Sequence, residues 1–154
     1  MAFDKFDRAI LAALQQDGRV TNVQLASRVN LSESACLRRV RALEEAGVID
    51  RYVALLSQQK VGLPGSVLVQ IGLHREEERD LAAFEQAVRE IPEVMECYLM
   101  TGEFDYLLRV VVTDMADFER LHKDQLTRLP GVARVNSSVT IRTVLKKTEL
   151  PLRA

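Results

Sequence analysis

The sequence predicts an α+β chain: an N-terminal three-helix helix-turn-helix part, a linker strand, and a β-α-β-β-α-β part. Three observations predict it. Apolar residues recur at helical spacing as far as Gly47, the period changes after Val48, and strand-like and helix-like runs alternate from Val67 onward. The expected division is 1–50 for the helical part, 51–65 for the linker strand and turn, and 66–154 for the α/β part.

In the first helix Phe3, Phe6, Ile10, Leu11 and Leu14 follow helical spacing, with Asp4 and Asp7 near the positive end of the helix dipole. Gly18 offers the turn after it. Thr21 opens the second helix, and Gln24 three residues on makes a capping box: the threonine oxygen takes a backbone N–H and the glutamine reaches back. Leu25, Ala26 and Val29 give this helix its buried side, and Asn30 ends it. Ser32 caps the third helix, Cys36, Leu37, Val40 and Leu43 form its apolar side, and Gly47 closes it.

Ile49 and Tyr52 to Leu56 read as an extended linker strand, and Gly62, Pro64 and Gly65 mark the domain boundary. Val67 to Leu73 is a strand, and Leu81, Phe84, Ala87, Val88 and Ile91 fit an amphipathic helix. Val94 to Met100 and Tyr106 to Val112 are strands around a short turn. Met115, Phe118, Leu121, His122, Leu126 and Leu129 fit another helix, and Val132 to Val144 is a long last strand. Ile91-Pro92-Glu93-Val94 and Leu129-Pro130-Gly131-Val132 form a faint repeat in which each proline stops a helix ahead of a strand. Two β-α-β halves joined by a hairpin give a ferredoxin-like sheet with both helices on one face. The other face is expected to be bare and rich in Val and Leu, which argues for a homodimer through the sheets.

Composition narrows the classes. The 154 residues carry 47% hydrophobic and 28% charged side chains, with a net charge of −1, so a case for nucleic acid rests on local clustering. Cys36 and Cys97 make no disulfide framework, and with His74 and His122 far apart no metal site is expected. No cofactor is expected. A reduced cytoplasmic compartment is the simplest reading. Met1 to Leu14 lacks the pattern of a signal peptide, and no apolar run is long enough for a membrane span.

The local clustering lies on the third helix. At about 100° per residue, Ser34, Ala35, Arg38, Arg41 and Ala42 share the side opposite Cys36, Val40 and Leu43, with Arg39 on the flank. Arginine suits guanine edges by its paired donors and phosphates by its charge. Ser32 and Ser34 sit at the helix start, where hydroxyl and backbone donors meet a phosphate or a base edge. Thr21 and Asn22 start the preceding helix and are expected to touch the DNA backbone. The competing reading is that the arginines solvate a surface helix and pair with Glu44 or Glu45. Cys36 and Cys97 read as small packed residues rather than reactive thiols.

These residues resemble the Lrp/AsnC, or feast/famine, regulators of bacteria and archaea. The resemblance is carried by Asp7-Arg8-Ala9-Ile10-Leu11, Asp17-Gly18-Arg19, the run from Leu31 to Glu44, Gly47-Val48-Ile49, the loop Thr101 to Tyr106, and Leu129 to Val132. It implies a sequence-specific transcriptional regulator, nucleoid-associated in a bacterial or archaeal cytoplasm. It implies double-stranded DNA as partner and a homodimer that assembles to a tetramer or octamer. It also implies an amino-acid effector near the seam between dimers, beside Met100, Thr101, Gly102, Glu103, Phe104, Asp105 and Tyr106. Asn136, Ser137 and Ser138 on the last strand reach the same pocket in that family. Asp105 would accept bonds from an α-ammonium group. The same loop also reads as a plain hairpin turn in which Asp105 serves its own backbone.

Two other classes stand beside the regulator. One is a small α/β enzyme without DNA binding, for which the chain shows no nucleophile with a partner base, and no catalytic residue is named. The other is an assembly protein whose helical head binds protein.

Overall fold

Side-chain caps set the three helices at the start of the chain. The computed structural model describes residues 3–152; positions 1–2 and 153–154, at the ends of the expected domain ranges, lie outside the described residues. Helix α1 spans Lys5–Gln16. Asp4 accepts the Phe6 and Asp7 N–H groups at 2.8 and 2.9 Å, and Asp7 accepts the Asp4 N–H at 3.3 Å, a reciprocal box made by two carboxylates. The helix ends at Asp17, and Gly18 lies in a turn closed by the Val20 N–H on the Asp17 carbonyl at 3.3 Å. Helix α2, Asn22–Val29, opens on the predicted Thr21–Gln24 box.

Asn30 then adopts the left-handed conformation, φ 56° and ψ 48°, and the Leu31 N–H bonds back to the Ala26 carbonyl at 3.0 Å. Asparagine visits this region at lower cost than most residues. Ser32 caps helix α3, Glu33–Glu45, by accepting the Ala35 N–H at 3.3 Å. Gly47, at φ 67°, lets its own N–H reach Glu44 and the Val48 N–H reach Leu43, both at 2.9 Å, which satisfies the terminal carbonyls. Ile10 and Leu11, Leu25, Ala26 and Val29, and Cys36 and Leu43 bring the three helices onto one core.

The α/β part has the predicted order. Strand β1 is Gly65–Leu73, β2 Val94–Leu99, β3 Tyr106–Val112 and β4 Val132–Val139. Helix α4, Glu78–Val88, joins β1 to β2, and α5, Met115–Asp124, joins β3 to β4 through a 3-10 turn at Leu126–Arg128. The sheet runs β2-β3-β1-β4, all antiparallel. Val67, Val69 and Ile71 of β1 and Tyr106, Leu108, Val110 and Val112 of β3 alternate onto one face, where Phe84, Val88, Phe118 and Leu121 cover them. Both helices therefore lie on that face.

The structure departs from the expected elements in three places. The apolar stretch from Tyr52 to Leu56 forms no strand, and Tyr52, Val53, Leu55 and Leu56 are exposed: an apolar run becomes a strand only where a neighbour pairs its backbone. The last strand stops at Val139 rather than Val144. Its partner β1 begins at Gly65, so the ladder runs out, and the Thr140 N–H on the Ser66 carbonyl at 2.9 Å is the last rung. The residues beyond belong with the helices. By contacts the chain divides into Leu56–Thr143 and a second unit made of residues up to Leu55 and from Val144. In that unit Gln15 exchanges two hydrogen bonds with the Leu150 backbone, at 2.6 and 3.2 Å, and Leu152 packs against the helical core.

The uncovered sheet face is also more polar than expected. By register it presents Ser66, Leu68 and Gln70, Leu107 and Arg109, Glu96 and Tyr98, and Asn136 and Ser138. Arg109 pairs with Glu96 at 3.0 Å and Asn136 donates to Gln70 at 3.2 Å, so polar pairs are interspersed with the apolar Leu68, Leu107, Val111 and Tyr98 on this face.

Candidate nucleic-acid and ligand sites

Helix α3 is anchored by Cys36, fully buried, and Leu43, 1% exposed. Its far side carries Ser34, Leu37, Arg38, Arg41, Ala42 and Glu45, which line a shallow concavity of about 360 Å³. Ser32, Ser34, Arg38 and Arg41 are exposed and Ala35 is half-buried. Among the described residues neither Arg38 nor Arg41 is held in an ion pair. Glu44, one expected partner, accepts instead the Tyr52 hydroxyl at 3.0 Å.

Arg39 is a correction to the expected DNA-facing set. Its guanidinium turns into the bundle, 2.7 Å from Asp7 and 2.9 Å from Asp4, and lies 5.5 Å from the centre of the Phe6 ring. The Asp7 hydrogen bond raises its already high pKa, and the Asp4 carboxyl is lowered by the Asp7 N–H with Arg39 adding to it. Arg39 therefore ties α3 to the start of α1. Asn22 has a similar bracing task, since its amide donates to the Glu33 carbonyl at 2.9 Å across the α2–α3 turn. The Thr21 hydroxyl oxygen accepts the Gln24 N–H of its own cap, at 3.3 Å. Leu37, expected in the core, is 38% exposed among the outward polar residues.

The second site lies on the sheet. Gln70, Gly72, Glu103, Phe104, Arg134, Val135 and Asn136 line a cavity of about 510 Å³. The register explains it: Gln70 faces Asn136 and Gly72 faces Arg134 across β1 and β4. A methyl group on Gly72 would come within 3.2 Å of the Arg134 Nε, so the glycine leaves room for the guanidinium. Arg134 donates to the Glu103 carbonyl at 3.1 Å, which brings the β2–β3 loop to the cavity edge.

Of the expected effector residues, Glu103, Phe104 and Asn136 line this cavity. Met100, Thr101 and Gly102 are exposed outside its lining, with Gly102 at φ 121° making the turn. Asp105 serves the loop: its carboxylate accepts the Leu73 N–H at 2.5 Å, its own N–H bonds to Ile71 at 2.9 Å, and its carbonyl accepts the Met100 N–H at 2.8 Å. Tyr106 is a correction. It is 1% exposed, stacks 4.4 Å from Phe84 and donates to Glu85 at 2.9 Å, on the helix-covered face. Burial, with Glu85 adding to it, raises its phenol pKa. Ser137 alternates away from Asn136 and lines a separate depression with Phe118 and His122, and Ser138 is exposed opposite Leu68. Gln70, Gly72, Arg134 and Val135 escaped the sequence reading. Arg134 was within reach of it, two residues before Asn136 and so on the same side of the strand.

Burial pushes the Cys97 thiol up to about 11 and raises Cys36 as well, so neither has the character of an activated nucleophile. Among the described residues no cluster of three His, Cys, Asp or Glu side chains suits a metal ion, and no helix is long and apolar enough to cross a membrane.

A winged helix-turn-helix DNA-binding model matches residues 3–50, and the Lrp/AsnC ligand-binding domain model matches residues 66–150. The chain belongs to the Lrp/AsnC family. This Lrp/AsnC regulator is 41% identical over 150 residues to the leucine-responsive regulatory protein of Escherichia coli, covering 97% of this chain and 92% of that protein. Its fold matches a transcriptional regulator of Neisseria meningitidis solved as a complex with L-Met, at TM-score 0.93, 41% identity and 97% coverage of both chains. It matches equally an AsnC-family transcriptional regulator of Agrobacterium tumefaciens, at TM-score 0.92, 40% identity and 97% coverage of both. The Lrp/AsnC chain is thus a helix-turn-helix DNA-binding transcriptional regulator with a ligand-binding domain.

Proposed function

We propose that the outward side of α3 enters the major groove of double-stranded DNA and that the sheet cavity takes a free amino acid as effector. One observation carries the first half: two exposed guanidinium groups, Arg38 and Arg41, without ion-pair partners among the described residues, on one side of a helix held by its opposite side. Ser32 and Ser34 at the helix start supply phosphate or base-edge donors beside them. Ala35 lies near enough for apolar contact with a base. Thr21 and Asn22 open α2 and meet the DNA backbone, and Asn22 also braces the α2–α3 turn through the Glu33 carbonyl.

The cavity has the chemistry an amino acid needs. Arg134 offers paired donors to a carboxylate, Glu103 an acceptor for an ammonium, and Phe104 an apolar wall. The Neisseria relative was solved with L-Met. The protein acts as a homodimer through the uncovered sheet face, using Leu68 and Tyr98, and assembles further to a tetramer or octamer. Effector binding shifts that assembly, which requires tighter binding to one form than to another. It acts in the cytoplasm, and catalysis has no part in its task.

Gel-shift titration of Arg38→Ala on a duplex selected by the wild-type protein tests the DNA half. An affinity loss of about 5- to 100-fold is expected; unchanged affinity rejects it. Isothermal calorimetry with L-Met tests the other half. Heat of binding in the wild type that is lost in Arg134→Ala supports the cavity, and an unchanged isotherm in that variant removes it.

A further inference from the structure

Leu37 is the apolar exception on the polar side of α3. The helix buries Cys36 and Leu43 almost completely, yet leaves Leu37 38% exposed. A lone exposed leucine is ordinary on a protein surface. This one sits one helical turn from Ser34 and from Arg41, next to Arg38, and all four line the same concavity. The side chain is shorter than its two arginine neighbours, so it reaches only what comes close to the helix itself.

The floor of the major groove offers one apolar group, the C5-methyl of thymine. Guanine, cytosine and adenine present only donors and acceptors there, to which a leucine contributes nothing and whose hydration it removes. Resting on the reading that α3 enters the groove, we propose that Leu37 is a specificity-determining residue that packs on a thymine methyl in each half-site, beside the positions held by Arg38 and Arg41. Those arginines then supply charge and guanine or phosphate contacts, and Leu37 selects thymine against cytosine at the step next to them.

The test uses the full-length protein and a duplex enriched from a random pool by the wild type. Each thymine is replaced in turn by deoxyuridine, which removes the methyl and leaves every hydrogen-bonding group in place. The wild type should lose about fourfold in affinity at one thymine per half-site. Leu37→Ala should bind the thymine and deoxyuridine duplexes equally, while Leu37→Met, which keeps an apolar tip, should retain the preference. Circular dichroism melts matching the wild type confirm that both variants are folded. Leu37→Ala keeping the full deoxyuridine penalty, or a wild type blind to every thymine methyl, overturns the proposal while leaving α3 as the DNA-reading helix. Failure to enrich any duplex overturns both.

Discussion

Three arginines stand within four positions on α3, and their surroundings give them two tasks. Arg39 is closed by two carboxylates and a phenyl ring, whereas Arg38 and Arg41 are open. Arg39→Ala should therefore lower the melting temperature read by circular dichroism, by removing the bond between α1 and α3. Arg38→Ala should leave that temperature unchanged and weaken DNA binding instead. The reverse pattern would exchange their roles. The phase of the helix already contains this distinction. At about 100° per residue, Arg39 stands roughly 60° from Cys36 and Leu37 roughly 100°. The charged residue is thus nearer the core side than the apolar one, which agrees with a flank position for Arg39 and removes Leu37 from the expected apolar side. Asp105 is a second case. Its carboxylate holds the Leu73 N–H, so Asp105→Ala should cost about 1–3 kcal/mol by leaving that donor unpaired in a half-buried site. A urea melt indistinguishable from the wild type would return Asp105 to the direct ligand-binding role.

At the scale of elements, the helices were the most legible part because each cap is a local event. Thr21 with Gln24, Ser32, Asn30 and Gly47 all act on backbone groups within a few residues of themselves. The strands depended on partners far along the chain, which is why Tyr52 to Leu56 stayed unpaired and β4 ended where β1 had no more backbone to offer. The ligand cavity was half legible for the same reason. Glu103 and Phe104 sit in a local loop, but Gln70 and Gly72 join them only through the β1–β4 register. The α2–α3 turn gives a direct test of local control. Asn30→Gly should be tolerated, and Asn30→Val should cost about 1–2 kcal/mol, because a β-branched side chain resists the left-handed conformation. Equal stability of the two variants by urea denaturation would mean that the turn does not depend on that conformation.

Across the whole molecule, charge contributes to both stability and binding. The Asp4 carboxyl is held below the usual carboxylate range by the Asp7 N–H and by Arg39, and Asp117 by the Thr113 N–H and by Arg120. A carboxyl whose folded pKa is depressed contributes its full stability above its ordinary pKa and loses it as pH falls through the depressed value. The urea midpoint should accordingly vary little through these groups between neutral pH and about pH 5, and fall below about pH 4. A midpoint that rises on acidification would contradict the assignment. With a net charge of −1, the proposed DNA contact rests on the local basic side of α3. The most direct measurement is the affinity for a selected duplex, followed by fluorescence anisotropy as salt is raised, in the wild type and in Arg38→Ala combined with Arg41→Ala. The account predicts weaker binding and a log–log salt slope shallower by about 2 for each DNA-bound subunit in the double variant. Superimposable titrations would contradict it.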